Sequence, residues 1–113
     1  MPAQTSLFSA PPYDIANALK ELGANLRTAR LRRNLSIVDV ALKIGVGRRA
    51  VSDAEKGKPS TGIAVYLGIL WAVGLLEQVR DVADPAKDAE GLTLSLARDR
   101  VRGGRSQRPP DDF

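Results

Sequence analysis

The chain has 113 residues, of which 43% are hydrophobic and 4% aromatic, and its formal net charge is +4. This length suits one compact domain with tails. The sequence contains no cysteine and no histidine, which excludes disulfides, thiolate zinc sites and the commonest general base. Its carboxylates are scattered among basic residues and form no catalytic constellation, so we expect no enzymatic activity, no metal site and no cofactor.

The positive charge is concentrated in one stretch of the chain. Residues 27–58 contain nine basic and three acidic residues, whereas residues 59–97 contain two basic and five acidic residues. A concentrated basic segment favours a polyanionic partner, although charge alone also allows a merely solvated basic face. The uncharged stretch at 59–76 contains an apolar run shorter than the ~20 residues that a membrane-spanning helix requires. We expect a buried helix there and no membrane association.

The apolar spacing predicts a series of helices after a disordered tail at residues 1–12. The first helix is expected at 14–33, with Asp14 as its cap and a bend or break at Gly23. Its apolar stripe consists of Ile15, Leu19, Leu22, Leu26 and Ala29.

Two short helices separated by a tight turn follow. Ser36 is a good N-cap for the second helix, and Gly45 is expected to end it, because glycine tolerates positive φ. The third helix is expected at 48–56, with Gly57 as its stop. Two helices that cross steeply need a small residue at the crossing, and Ala41 occupies that position. The pattern predicts a helix-turn-helix.

Further helices are expected at 61–73 and 76–83. Residues 88–102 alternate leucines with small or polar residues, which allows a strand, but acidic residues at the start and basic residues at the end favour a helix. The expected fold class is therefore all-α. Its parts are a five-helix, repressor-like helix-turn-helix domain at 13–84, a C-terminal extension for dimer or partner contact at 85–102, and a disordered tail at 103–113.

Residues 36–57, with the sequence SIVDVALKIGVGRRAVSDAEKG, resemble the phage-repressor or Cro-type family, also called the XRE family, and the resemblance extends over about 22–83. It implies a sequence-specific transcriptional regulator, a repressor, whose third helix enters the major groove of double-stranded DNA. It also implies a homodimer on a palindromic operator, because two recognition helices one DNA turn apart read such a site.

The resemblance places the first residues of the third helix at the base edges. Arginine can hold guanine through two hydrogen bonds, and an aspartate can accept from cytosine or simply be solvated. Phosphate contacts are expected from both ends of the motif. The residues expected to contact DNA are Ser36, Arg48, Arg49, Ser52, Asp53, Lys56 and Lys58.

Two further residues match a structural ion pair of the family, Arg30 in the first helix and Glu55 at the end of the third. Three positions depart from the family pattern. Ile37 stands where glutamine is common, Gly47 replaces a serine or threonine cap, and Ala54 replaces a bulkier residue. These departures bear on the orientation and affinity of DNA binding rather than on the fold.

The helix at 61–73 is apolar on all sides, which predicts burial on more than one side. We expect the surplus to form a dimer or partner interface, although these residues could instead fill the core of the monomer. The residues expected at the interface are Tyr66, Leu70, Trp71, Leu75, Leu76 and Val79.

Three short segments resemble small antitoxins of the HipB type, which are encoded beside a HipA-type kinase toxin. They are the stretch 71–76, the end of a predicted helix at 83–85 and the start of the next segment at 91. This resemblance implies an autorepressor of a toxin–antitoxin operon that also binds the toxin, in the bacterial cytoplasm and at the nucleoid. The alternative is a protein-interaction module that sequesters a toxin or other partner, with DNA binding secondary.

Overall fold

A computed structural model of the chain describes residues 6–103, so residues 1–5 of the predicted N-terminal tail and residues 104–113 of the predicted C-terminal tail lie outside the described residues. Within 6–103 the structure contains helices and no strands, which confirms the all-α fold class. The α-helices are α1 (Tyr13–Arg32), α2 (Ile37–Ile44), α3 (Arg48–Glu55), α4 (Ile63–Ala72) and α5 (Ala89–Arg102). The chain forms two compact units, one extending to Val79 and the other beginning at Arg80.

Helix α1 is continuous through Gly23, so the break that the sequence allowed at this position is wrong. A Cβ atom at position 23 would lie 2.6 Å from the carbonyl oxygens of both Ala54 and Glu55. The glycine is therefore required where the end of α3 approaches α1 closely. The expected cap by Asp14 is also wrong, because α1 begins at Tyr13 without a side-chain cap.

Helices α2 and α3 form the predicted helix-turn-helix. Ser36 caps α2 and Gly45 ends it at a φ of 76°. The facing side chains are nearly inaccessible to solvent, since Ala41 is 3% exposed and Val51 0%. Because each helix has only eight residues, less than an isolated helix needs for stability, this packing must hold both in place.

Helix α4 packs against α2 and α3, and its burial corrects part of the expected interface. Tyr66 and Leu70 are buried in the core of this unit, where they cannot also contact a partner. Trp71 is 53% exposed, whereas Leu75, Leu76 and Val79 are partly buried against the core. The all-round apolarity of α4 therefore reflects mainly its position between other helices.

Two short 3₁₀ helices follow, Leu76–Asp81 and Pro85–Lys87, so the expected fifth helix at 76–83 is a 3₁₀ helix. In the second unit the helical alternative for residues 88–102 is confirmed. Asp88 accepts a hydrogen bond from the backbone N–H of Gly91 at 2.9 Å and so caps α5. None of the helices within residues 6–103 combines the length and the hydropathy that a membrane crossing demands.

Candidate nucleic-acid interface

A buried ion pair fixes α3 relative to α1. Arg30 Nε donates to Glu55 Oε2 at 2.6 Å and Arg30 Nη2 donates to Glu55 Oε1 at 2.9 Å. The third guanidinium nitrogen, Nη1, donates to the carbonyl oxygen of Leu35 at 2.8 Å. The hydrogen bond with Glu55 raises the pKa of Arg30 above its ordinary value. One side chain thus joins α1, the turn before α2 and the end of α3.

The start of α2 is fixed by a reciprocal pair of hydrogen bonds. The Asp39 N–H donates to Ser36 Oγ at 2.9 Å, and the Ser36 N–H donates to Asp39 Oδ2 at 2.8 Å. These two bonds form a capping box. The hydrogen bond from the Ser36 backbone N–H is the main reason why the pKa of Asp39 lies below its usual value. The Ser36 hydroxyl can still donate its hydrogen outward, but its backbone N–H is already used.

An open groove lies between the start of α2 and the outer face of α3. It gathers all seven residues that the sequence assigns to DNA contact, although they are spread over 23 positions of the chain. Arg30, Ile37 and Val38 complete its lining. The groove therefore combines basic side chains with the N-terminus of a helix, both of which attract anions.

The exposed arginines stand at the start of α3. The side chain of Arg49 is 85% exposed, and Arg48 is also exposed. Ser52, one turn after Arg48, is half-buried. The N-cap is Gly47, which makes no side-chain hydrogen bond to the helix. The first turn of α3 thus presents two long, exposed, cationic side chains from a helical backbone.

Asp53 lies between two cations of the same groove. Its carboxylate is 3.2 Å from Lys58 Nζ and 3.9 Å from Arg49 Nε. A second contact holds the Lys58 segment, because the Tyr66 hydroxyl donates to the Lys58 carbonyl oxygen at 3.4 Å. Asp53 is therefore engaged within the protein, which favours a role in orienting Lys58 and Arg49 over direct contact with a base.

Sequence reasoning missed two features near this site. Val38 lines the groove beside Ile37 and is 41% exposed. Lys43, at the end of α2, lies with its Nζ 5.5 Å from the ring centroid of Trp71 in α4. No sequence pattern signals this cation–π contact, because the two residues are on different helices and far apart in the chain.

Comparison with known protein families gives a match to part of the chain. The family model described as helix-turn-helix, HTH_3, matches residues 26–68. This range begins inside α1, contains the whole of α2 and α3, and ends inside α4. Comparison with the curated proteins and with the solved structures gave no match.

Proposed function

We propose that this chain, a DNA-binding transcriptional regulator with a helix-turn-helix domain of the XRE type over residues 26–68, is a sequence-specific repressor. The observation that carries the proposal is the groove beside α3, where all seven candidate contact residues lie together. In this arrangement the first turn of α3 enters the major groove and reads base edges.

The side chains of the groove divide by their reach and their existing contacts. Arg48 and Arg49 are the base readers, because both are exposed at the start of α3 and arginine can bind guanine O6 and N7 together. Lys56 and Lys58 contact phosphates on one side. The Ser36 hydroxyl and the free N–H groups in the first turn of α2 contact phosphate on the other side.

The repressor acts as a homodimer on a palindromic operator. A single groove contacts only a few base pairs, whereas two recognition helices separated by one DNA turn double the contacts and require a symmetric site. The selected DNA should therefore contain two inverted half-sites with centres about 10 base pairs apart, or a multiple of that spacing.

Selection of duplexes from a random pool by the purified chain tests this proposal. We expect an inverted repeat, and a decrease in affinity with salt whose logarithmic slope is about 0.9 per phosphate contacted. The control is a scrambled duplex of the same composition, which retains the phosphates. Equal affinity for the selected and the scrambled duplex at every salt concentration would overturn sequence-specific binding.

The antitoxin role is a finer part of the same proposal. It is supported by the resemblance of residues 71–76 to HipB-like antitoxins and by exposed apolar side chains in the helix-turn-helix unit, since Leu42 is 77% and Ile63 74% exposed. Co-expression with the kinase-like product of a neighbouring gene tests it. Co-purification of the two proteins and tighter repression than by the chain alone are expected, and full repression without any complex would contradict it.

A further inference from the structure

Helix α5 carries large apolar side chains that its own unit does not cover. None of its residues is buried, and within residues 80–103 it packs against the short 3₁₀ helix Pro85–Lys87. Leu94 is 63% exposed and Val101 82%. Exposed side chains of this size on one stable helix indicate a surface that is covered by a partner.

The spacing of residues on α5 defines one continuous seam. Glu90, Leu94, Ala97 and Val101 follow one another at steps of four, three and four, which is the a/d spacing of a coiled coil and places them on one face. The small Ala97 in the middle of the seam allows a close approach of a second helix. Leu92 and Leu96, which are 59% and 53% exposed, lie on the opposite side of α5, because successive residues are rotated by about 100°.

The charges at the two ends of α5 select the partner and its direction. Acidic residues stand at the start of the helix and Arg98, Arg100 and Arg102 near its end. If two copies paired in parallel, Glu90 would face Glu90 across the seam. If they pair antiparallel, Glu90 of each copy lies near the arginines at the end of the other helix.

We propose that α5 is a dimerisation helix, which pairs antiparallel with α5 of a second copy of this chain through the seam Glu90–Leu94–Ala97–Val101. This deepens the proposed function, because a palindromic operator requires two copies. The pairing buries the exposed Leu94 and Val101 side chains and forms two acid–base contacts related by the twofold axis, one at each end.

Sedimentation of the full chain without DNA tests the seam. We expect the wild-type chain to form dimers, Leu94→Asp/Val101→Asp to be monomeric at the same concentration, and the matched control Leu92→Asp/Leu96→Asp to remain dimeric. Circular dichroism checks that both variants keep their helix content. A wild-type monomer at all concentrations, or an equal effect of the two double substitutions, would overturn the proposal.

The direction of pairing is tested separately, because the chain has no native cysteine to interfere. Glu90→Cys and Arg102→Cys stand at opposite ends of α5, about 18 Å apart along the axis. With a bis-maleimide shorter than half the helix, a mixture of the two variants should form heterodimeric crosslinks. Crosslinks within each variant alone would show parallel pairing, and no crosslink would show that α5 does not pair. Neither result bears on the DNA groove, which the duplex selection tests independently.

Discussion

The two units of the chain are helical for different physical reasons. In the unit ending at Val79, α2 and α3 are only eight residues long and exist because they bury side chains such as Val40, Val51 and Ala54 against neighbouring helices. In the unit beginning at Arg80, α5 has 14 residues, an Asp88 cap and charges that suit its helix dipole, but no buried residue.

This difference separates two tasks. Tertiary packing makes the first unit a rigid support, on which Arg48 and Arg49 are presented from a backbone fixed by the Arg30–Glu55 pair. Local signals alone form α5 in the second unit, which leaves the apolar side chains of α5 available to another molecule. Substitutions should therefore act globally in the first unit and locally in the second.

The largest effect is expected from breaking the buried ion pair. Glu55→Gln leaves the Arg30 guanidinium charged and buried without its counter-charge, which should lower the free energy of unfolding by about 3–5 kcal/mol. Urea denaturation measures this change. The double variant Arg30→Met/Glu55→Leu removes both charges and should lose less stability than Glu55→Gln alone. A single substitution that costs under about 1 kcal/mol, as an exposed pair does, would contradict this role.

Gly23→Ala should have the next largest effect on the free energy of unfolding. The sign of this change shows whether packing or helix propensity dominates at position 23. Propensity predicts a gain of about 1 kcal/mol in the middle of α1. The close carbonyl oxygens of α3 predict a loss of about 1–3 kcal/mol instead, because backbone atoms must shift to admit the methyl group. Thermal unfolding decides between the two, and the exposed neighbour substitution Ala24→Gly, which should cost about 1 kcal/mol, is the matched reference.

In the second unit, Asp88→Ala should act locally. Loss of the cap on the Gly91 N–H should destabilise α5 by about 0.5–2 kcal/mol. Hydrogen exchange should then speed up at the amides of α5 while those of the helix-turn-helix unit keep their protection. Equal loss of protection in both units would show instead that the two units unfold together.

The smallest effect concerns pH. The pKa of Asp39 is lower in the folded protein than in the unfolded chain, so its contribution to stability is present above the unfolded value of about 3.9. That contribution is lost as the pH falls through the lower, folded value. Asp39→Asn should therefore flatten the dependence of unfolding free energy on pH in the acidic range, and an unchanged slope would count against the capping box.

The helix-turn-helix could be predicted from sequence because its signals are local. Ser36 at a helix start and Gly45 at a positive φ each specify a boundary without knowledge of the rest of the chain. Asn34, which follows the end of α1, has a φ of 59°. Asparagine is one of the few residues that adopt this left-handed conformation, so it signals the end of a helix. The groove followed from these boundaries together with the family resemblance, since both fix which side of α3 is exposed.

The features that could not be predicted depend on which helix lies next to which. Gly23 looks like a break in a helix until the carbonyl oxygens of α3 are seen beside it. Likewise, an apolar pattern on all sides of α4 does not reveal that Tyr66 and Leu70 face the core while Trp71 remains half exposed. Sequence gives the apolar content of a helix, but the neighbours of each face are set by the tertiary arrangement.

The most direct test of the account is the base preference of Arg49→Ala on the selected duplex and on its single-base variants. Arg27→Ala is the control, because it removes the same charge from an exposed position outside the groove lining. We expect a loss of about 1–3 kcal/mol in binding free energy on the selected duplex and a relaxed preference at one base pair, symmetric in the two half-sites. A uniform loss on all duplexes, equal to that of Arg27→Ala, would contradict base reading by α3.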